Sequence, residues 1–246
     1  GRMVLKGINL DIYPYETLVI LGRSGCGKST LLRHMIGLHE PDQGTINIKD
    51  VDIKNAKESR REKLLTQIGM LFQNGALFNS MTVGENVALP LQEHTPQQLS
   101  TIRIITRMKL GLVGLSGFED FMPAQLSGGM KKRVALARAI AMDPDILFCD
   151  EPSAGLDPIV AAGIDNLILK LKQALKMTIV VVTHEMESVK CIADRIALLH
   201  DGQIRFLGSF EEMIQHDDAY VQQFLQRQPD QESLDPDAYL NELVKD

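Results

Sequence analysis

The stretch that most constrains this 246-residue chain is Gly22-Arg23-Ser24-Gly25-Cys26-Gly27-Lys28-Ser29. It follows G-x-x-x-x-G-K-[ST] at every fixed position. An apolar run, Leu18-Val19-Ile20-Leu21, leads into it, and a helical pattern, Thr30-Leu31-Leu32-Arg33-His34-Met35-Ile36, leads out. Strand, loop and helix in that order trap anions. The glycines put no Cβ in the way, successive N–H groups line a nest, and the helix adds the positive end of its dipole. Lys28 is expected to bridge the β- and γ-phosphates of a nucleotide, and the Ser29 hydroxyl to bind Mg²⁺. An ordinary glycine-rich turn is the bland alternative, and the flanking elements argue against it.

The longest apolar runs, such as Ile179–Val182, are strand-sized, far short of the roughly 20 residues that cross a bilayer. No signal peptide is visible, and the opening Gly1-Arg2-Met3 reads as a trimmed start with an upstream segment missing. Three scattered cysteines, Cys26, Cys149 and Cys191, lack C-x-x-C spacing; they argue against a disulfide framework or zinc site and fit a reducing cytosol. Of the net charge of −6, residues 209–246 contribute ten acids and two bases. That acidic end does not suit nucleic acid, so no nucleic-acid partner is expected, and a solubilising tail accounts for the charge alone.

Residues 4–21 read as strands, with Ile8–Ile12 alternating like a half-buried antiparallel one. Pro41-Asp42-Gln43-Gly44 predicts a turn into the strand Thr45–Ile48. Lys54–Lys63 reads as a solvated loop and short helix, and Ile68–Phe72 as a strand ending at Gln73. From Val83 to about Ala141 the period is helical, with breaks near Pro96 and Gly111–Gly117. Asp145–Cys149 and Thr178–Thr183 read as buried strands, Ile159–Lys176 as a helix after Pro158, and His200–Gln203 as a hairpin turn. Alternating strands and helices around a phosphate loop predict an α/β fold, a mostly parallel sheet covered on both faces.

Two further signals stand beside the first. Ile146–Asp150 is a buried run that ends in the acids Asp150 and Glu151. Asp150 can hold Mg²⁺ and Glu151 can polarise an attacking water. Leu126-Ser127-Gly128-Gly129-Met130 opens a helix, with Ser127 a suitable N-cap and the glycines leaving N–H groups free. Ser127 stands 24 residues before Glu151, in a helical insert that follows Gln73.

On these residues the chain resembles, over nearly its whole length, the ATP-binding subunits of ABC transporters. Walker A matches at Gly22–Ser29 with Thr30 beside it, the Q-loop at Gln73, the signature at Leu126–Gly129 and Walker B at Ile146–Asp150. The catalytic glutamate matches at Glu151, the D-loop at Ser153–Asp157 and the switch histidine at His184. The resemblance implies a P-loop NTPase with a RecA-like core (1–75 and 142–208), an antiparallel β subdomain, an inserted α-helical subdomain (76–141) and a helical C-terminal extension (209–246). It implies ATP and Mg²⁺ as cofactors and a head-to-tail homodimer. In that dimer Ser127, Gly128 and Gly129 of one subunit press on the ATP held by Gly22–Thr30 of the other. Glu151, His184 and Gln73 are then the catalytic set, Ser29, Gln73 and Asp150 the metal set, and Asp157 the group that communicates across the pair.

The signature ends in Met130 where the family's pattern has Gln, and the runs Phe72–Phe78, Met81–Val83, Asn86–Leu91 and Leu126–Arg133 look like the MlaF-type ATPases of MCE lipid transporters in Gram-negative bacteria. That likeness implies phospholipid movement between inner and outer membranes, powered at the cytoplasmic face of the inner membrane. It implies an inner-membrane permease, an MCE-domain lipid-binding protein and a STAS-domain accessory protein. The alternatives are an amino-acid importer, or a soluble ATPase acting on ribosomes or DNA. The aromatic that stacks on adenine has no match at residues 1–5; Tyr13 or Tyr15 is a substitute, or an exposed turn residue. At the far end Tyr239, Leu240, Leu243 and Val244 either dock on a partner or fray.

Overall fold

The structure, a computed structural model, describes residues 3–228. Five buried residues, Thr17–Leu21, form β1; burial on both faces is what a central strand of a parallel sheet requires. The glycine-rich loop follows, then α1 (Lys28–Met35). A short antiparallel pair, β2 (Asn47–Ile48) and β3 (Val51–Asp52), turns through Lys49 and Asp50, both at positive φ, as a tight hairpin demands. α2 (Glu58–Leu65) and β4 (Ile68–Leu71) come next.

Three helices fill the stretch between β4 and the following strand: α3 (Val83–His94), α4 (Leu99–Leu112) and α5 (Gly128–Ala139). Thr82 and Glu85 close a capping box at the start of α3, and Ser127 caps α5 by accepting from Met130 N. We propose this stretch as the insert 76–141 that separates the two parts of the core. The chain then alternates: β5 (Ile146–Asp150), α6 (Pro158–Leu175), β6 (Thr178–Thr183), α7 (Met186–Ile192), β7 (Arg195–His200) and β8 (Gln203–Gly208). The β7–β8 hairpin turns through Asp201 and Gly202, both at positive φ.

The six-stranded sheet has the order β4-β5-β6-β1-β7-β8, parallel throughout except for the β7–β8 pair. Ile20, Leu31, Leu32, Ile36, Phe148, Val180 and Val182 pack α1 onto this sheet. The fold is the predicted α/β one. Two local expectations need correcting. Residues 8–12 alternate in burial as expected, and Leu5, Ile8 and Ile12 pack on the core, yet residues 4–12 join no ladder; the backbone bond Lys6 N to Gly202 O ties the segment down instead. The strand expected over Thr45–Ile48 shrinks to Asn47–Ile48 because its partner β3 is only two residues long.

The chain divides into two units between Phe210 and Glu211. Around and beyond that point come α8 (Phe210–Ile214) and α9 (Ala219–Leu225). Asp218 caps α9, and Gln222 Nε2 donates to the carbonyls of Ile214 and His216. The expected helix bearing Tyr239, Leu240, Leu243 and Val244 lies outside the described residues.

Candidate functional site

Register brings the site together. Leu71 pairs with Cys149, Asp150 with Val182, and Leu21 with Thr183, so β4, β5, β6 and β1 end at nearly one level. At or just beyond those ends stand Gln73, Asp150-Glu151, His184 and the Gly22–Ser29 loop. Ligands of open parallel sheets bind at the carboxyl ends of the strands.

The loop is built around close approaches. A Cβ on Gly22 would run into the Leu199 carbonyl, and one on Gly27 would stand 2.9 Å from Leu5 Cδ2. Gly27, at φ +109, is the N-cap of α1 and offers no capping side chain, which leaves the first N–H groups of the helix for an anion. The buried Lys28 ammonium folds back to donate to the carbonyls of Gly22 (2.7 Å) and Arg23 (3.0 Å).

Across from it, burial pushes the Asp150 carboxyl above its ordinary range and the Glu151 charge adds to the push; Arg33, Lys28 and a hydrogen bond from Ser29 pull it back. Asp150 Oδ1 and Glu151 Oε2 are buried without a hydrogen-bond partner. A hydroxyl and two carboxylates, two of their oxygens unsatisfied, are the hard donors that Mg²⁺ prefers. The residues fit that ion.

Glu151 takes φ +48, and its N–H reaches across to Val182 O at 2.8 Å. A strained backbone held by the sheet fixes where its carboxylate points. Oε1 meets His184 Nδ1 at 2.8 Å. An ionised Glu151 requires Nδ1 to carry the proton, leaving Nε2 as an acceptor. His184 is half exposed.

Ser127, Gly128, Gly129 and Asp157 form a second group, at the starts of α5 and α6. A Cβ on Gly128 would lie 3.5 Å from Leu156 Cδ2, and one on Gly129 2.5 Å from Val160 Cγ1. Asp157 caps α6 by accepting from Ile159 N and Val160 N at 3.1 and 3.0 Å. Tyr13 carries Arg195 over its ring at 4.7 Å, so one face is covered already.

Sequence reasoning missed the residues that tie these loops to α5. Lys132, only 7% exposed, donates to the Gln73 carbonyl and, at 3.0 Å, to the Glu151 carbonyl. Burial lowers its pKa, against the pull of Cys149, Glu151, Asp150 and Glu185. Arg138 donates to the carbonyls of Gly75 (2.7 Å) and Ala76 (2.8 Å). Buried Asn86 on α3 gathers the carbonyls of Phe78, Met81 and Thr82. A basic residue on a helix ordinarily reads as solvated surface, and nothing local in the sequence marks these as exceptions.

Residues 5–154 match the family model described as ABC transporter. The chain is 42% identical over 229 residues to the intermembrane phospholipid transport system ATP-binding protein MlaF of Haemophilus influenzae, covering 93% of this chain and 87% of that one. It is 41% identical over 222 residues to the probable ribonucleotide transport ATP-binding protein mkl of Mycobacterium leprae; the match takes in 90% of this chain but spans only 64% of that relative's length. The dimeric ATP-binding cassette MJ0796, in a post-hydrolysis state bound to ADP and Pi, superposes with a TM-score of 0.76 at 33% identity, over 84% of this chain and 90% of its own.

Proposed function

The chain belongs to the ABC transporter family, and from that premise we propose that it binds and hydrolyses ATP as one half of a head-to-tail pair, driving phospholipid movement through an inner-membrane permease. The observation that carries the reading is the meeting of four strand ends at the phosphate loop, with Glu151 held in a left-handed turn between Asp150 and His184.

On binding, the phosphates take the N–H groups of Gly22–Thr30. Lys28 leaves its two loop carbonyls for the β- and γ-oxygens. Ser29, Asp150 and Gln73 would hold Mg²⁺, which supplies charge neutralisation at those phosphates. Glu151 accepts a proton from the attacking water. His184 orients the Glu151 carboxylate through Nδ1–H, and its Nε2 donates to the γ-phosphate once it too carries a proton. Ser127, Gly128 and Gly129 bring the N-terminus of α5 to the partner's nucleotide, where its dipole meets negative charge, and Asp157 faces across the pair. Loss of the γ-phosphate removes the charge that holds the two halves closed.

The phospholipid reading is supported by the likeness to MlaF over most of both chains, with an MCE-domain protein and a STAS-domain protein as further partners at the cytoplasmic face of the inner membrane. Reconstitution with the permease in vesicles tests it. ATP-dependent movement of labelled phospholipid, lost in Glu151→Gln while ATP is still bound, is the expected result. Ribonucleotide or amino-acid uptake without lipid movement would overturn the cargo, and full turnover in Glu151→Gln would overturn the role of that carboxylate.

A further inference from the structure

Behind the site runs a buried polar chain that the proposed reaction does not use. Its members are Ser153 after β5, Asp165 on α6, Glu185 before α7 and Ser188 on α7. Ser188 Oγ stands 2.8 Å from Asp165 Oδ2, Ser153 Oγ stands 3.0 Å from Glu185 Oε2, and the two hydroxyls face each other at 3.3 Å. Asp165 is 4% exposed, both serines are buried as deeply, and Asp165 Oδ1 has no hydrogen-bond partner.

Counting protons decides its state. Each hydroxyl owns one. With both carboxylates ionised, the serines donate outward, one to each acid, and the Ser188–Ser153 gap holds no hydrogen. Two oxygens would then face each other lone pair to lone pair at hydrogen-bonding distance. One more proton fills all three gaps. Placed on Asp165, it lets every group donate once in a single direction, from Asp165 to Ser188 to Ser153 to Glu185. The unpartnered Oδ1 argues for the same placement, because a charged oxygen buried without a donor costs more than the carbonyl oxygen of a neutral acid.

We propose that Asp165 is a positioning residue held as the neutral acid, whose proton completes this one-way chain and so locks the 153–157 loop against the His184–Glu185 turn. That those two segments belong to an ATP site rests on the reading above; the proton count does not. The titratable groups that face Asp165 are Glu185, from the turn before α7, and Cys191, on α7. Burial raises the Asp165 carboxyl, the Ser188 bond opposes the rise and the Glu185 charge adds to it. The Cys191 thiol is itself raised by burial first and then by Asp165. A folded-state pKa above the unfolded one means that the native chain binds this proton more tightly. The stability it contributes is fully present below the unfolded value and is lost as pH rises through the folded one.

Infrared titration of the full chain tests the proton directly. The expected result is a protonated-carboxyl band that Asp165→Asn removes and that persists from the ordinary aspartate value of about 3.9 up to the pH of the turnover assay. A band lost with a midpoint below that assay pH would overturn the proposal. Kinetics test the positioning. Asp165→Asn keeps a donor toward Ser188, so its ATP turnover should stay within about twofold of wild type and lose any alkaline fall at that midpoint; a variant retaining the fall counts against the idea. Ser188→Ala should lower kcat about tenfold with KM for ATP nearly unchanged, and Ser188→Thr should restore it. Wild-type kcat in Ser188→Ala would reject the positioning role. A wild-type chain that turns over no ATP would sink the reading of the site, while the infrared titration would still decide the state of Asp165.

Discussion

Replacing Gly129 by alanine probes how α5 is seated. The new Cβ would stand 2.5 Å from Val160 Cγ1, against about 3.5–4.0 Å for carbon atoms in contact. Either the helices part by roughly 1 Å or Val160 leaves its rotamer. Overpacking of that kind costs about 1–3 kcal/mol, and alanine returns up to about 1 kcal/mol of helix propensity. The net loss is about 1 kcal/mol, which lowers Tm by about 2–4 °C in a chain of this size. Val160→Ala alone removes partly buried methyl groups and costs about 1 kcal/mol. In the double variant the collision is gone, so it should be more stable than the two singles predict by about 1–2 kcal/mol. Urea unfolding of the four proteins measures this. Additivity within about 0.5 kcal/mol refutes the seating argument. ATP turnover separates packing from chemistry. If the backbone at Gly129 faces a partner's phosphate, the double variant regains stability yet stays at least about tenfold slow, because the methyl remains in the way. Full recovery of rate would refute that part.

Three other outcomes follow from the geometry. Lys28→Ala should abolish ATP binding in an equilibrium titration, since the phosphates lose the cation now parked on the Gly22 and Arg23 carbonyls. Lys132→Met should lower kcat by about tenfold or more with little change in KM, because loops displaced by about 1 Å lose near-attack geometry; steady-state kinetics decide, and an unchanged kcat counts against the tie. Asp157→Ala should cost about 1 kcal/mol in urea unfolding even without a partner, as removal of an N-cap does, with any further loss of turnover read separately.

The parts of this molecule legible in the sequence are those whose signal is local. The Gly22–Ser29 loop, the acids after Ile146–Cys149 and the cap Ser127 each declare themselves within a few residues, and the structure forms the expected strand ends and helix starts around them. Residues 4–12 show the limit of that approach. The alternation over Ile8–Ile12 describes burial correctly, but a strand needs a neighbour with a free edge, and the alternation says nothing about the neighbour. Lys132, Arg138 and Asn86 show a second limit. Each is polar for the sake of carbonyls far away in sequence, and only the fold brings those carbonyls within reach. Asp165 belongs with them: mid-helix it reads as a solvated acid, and its burial beside Ser188 depends on how α7 returns over α6.

One rod of twelve residues, α5, meets the start of α6 at one end, grips the turns after β4 and β5 at its middle, and holds the carbonyls of Gly75 and Ala76 farther along. A helix that long spans about 18 Å and resists bending far better than the loops it touches. A push delivered to the helical insert from outside would therefore reach the backbone carbonyls of Gln73 and Glu151 as a tilt of that rod.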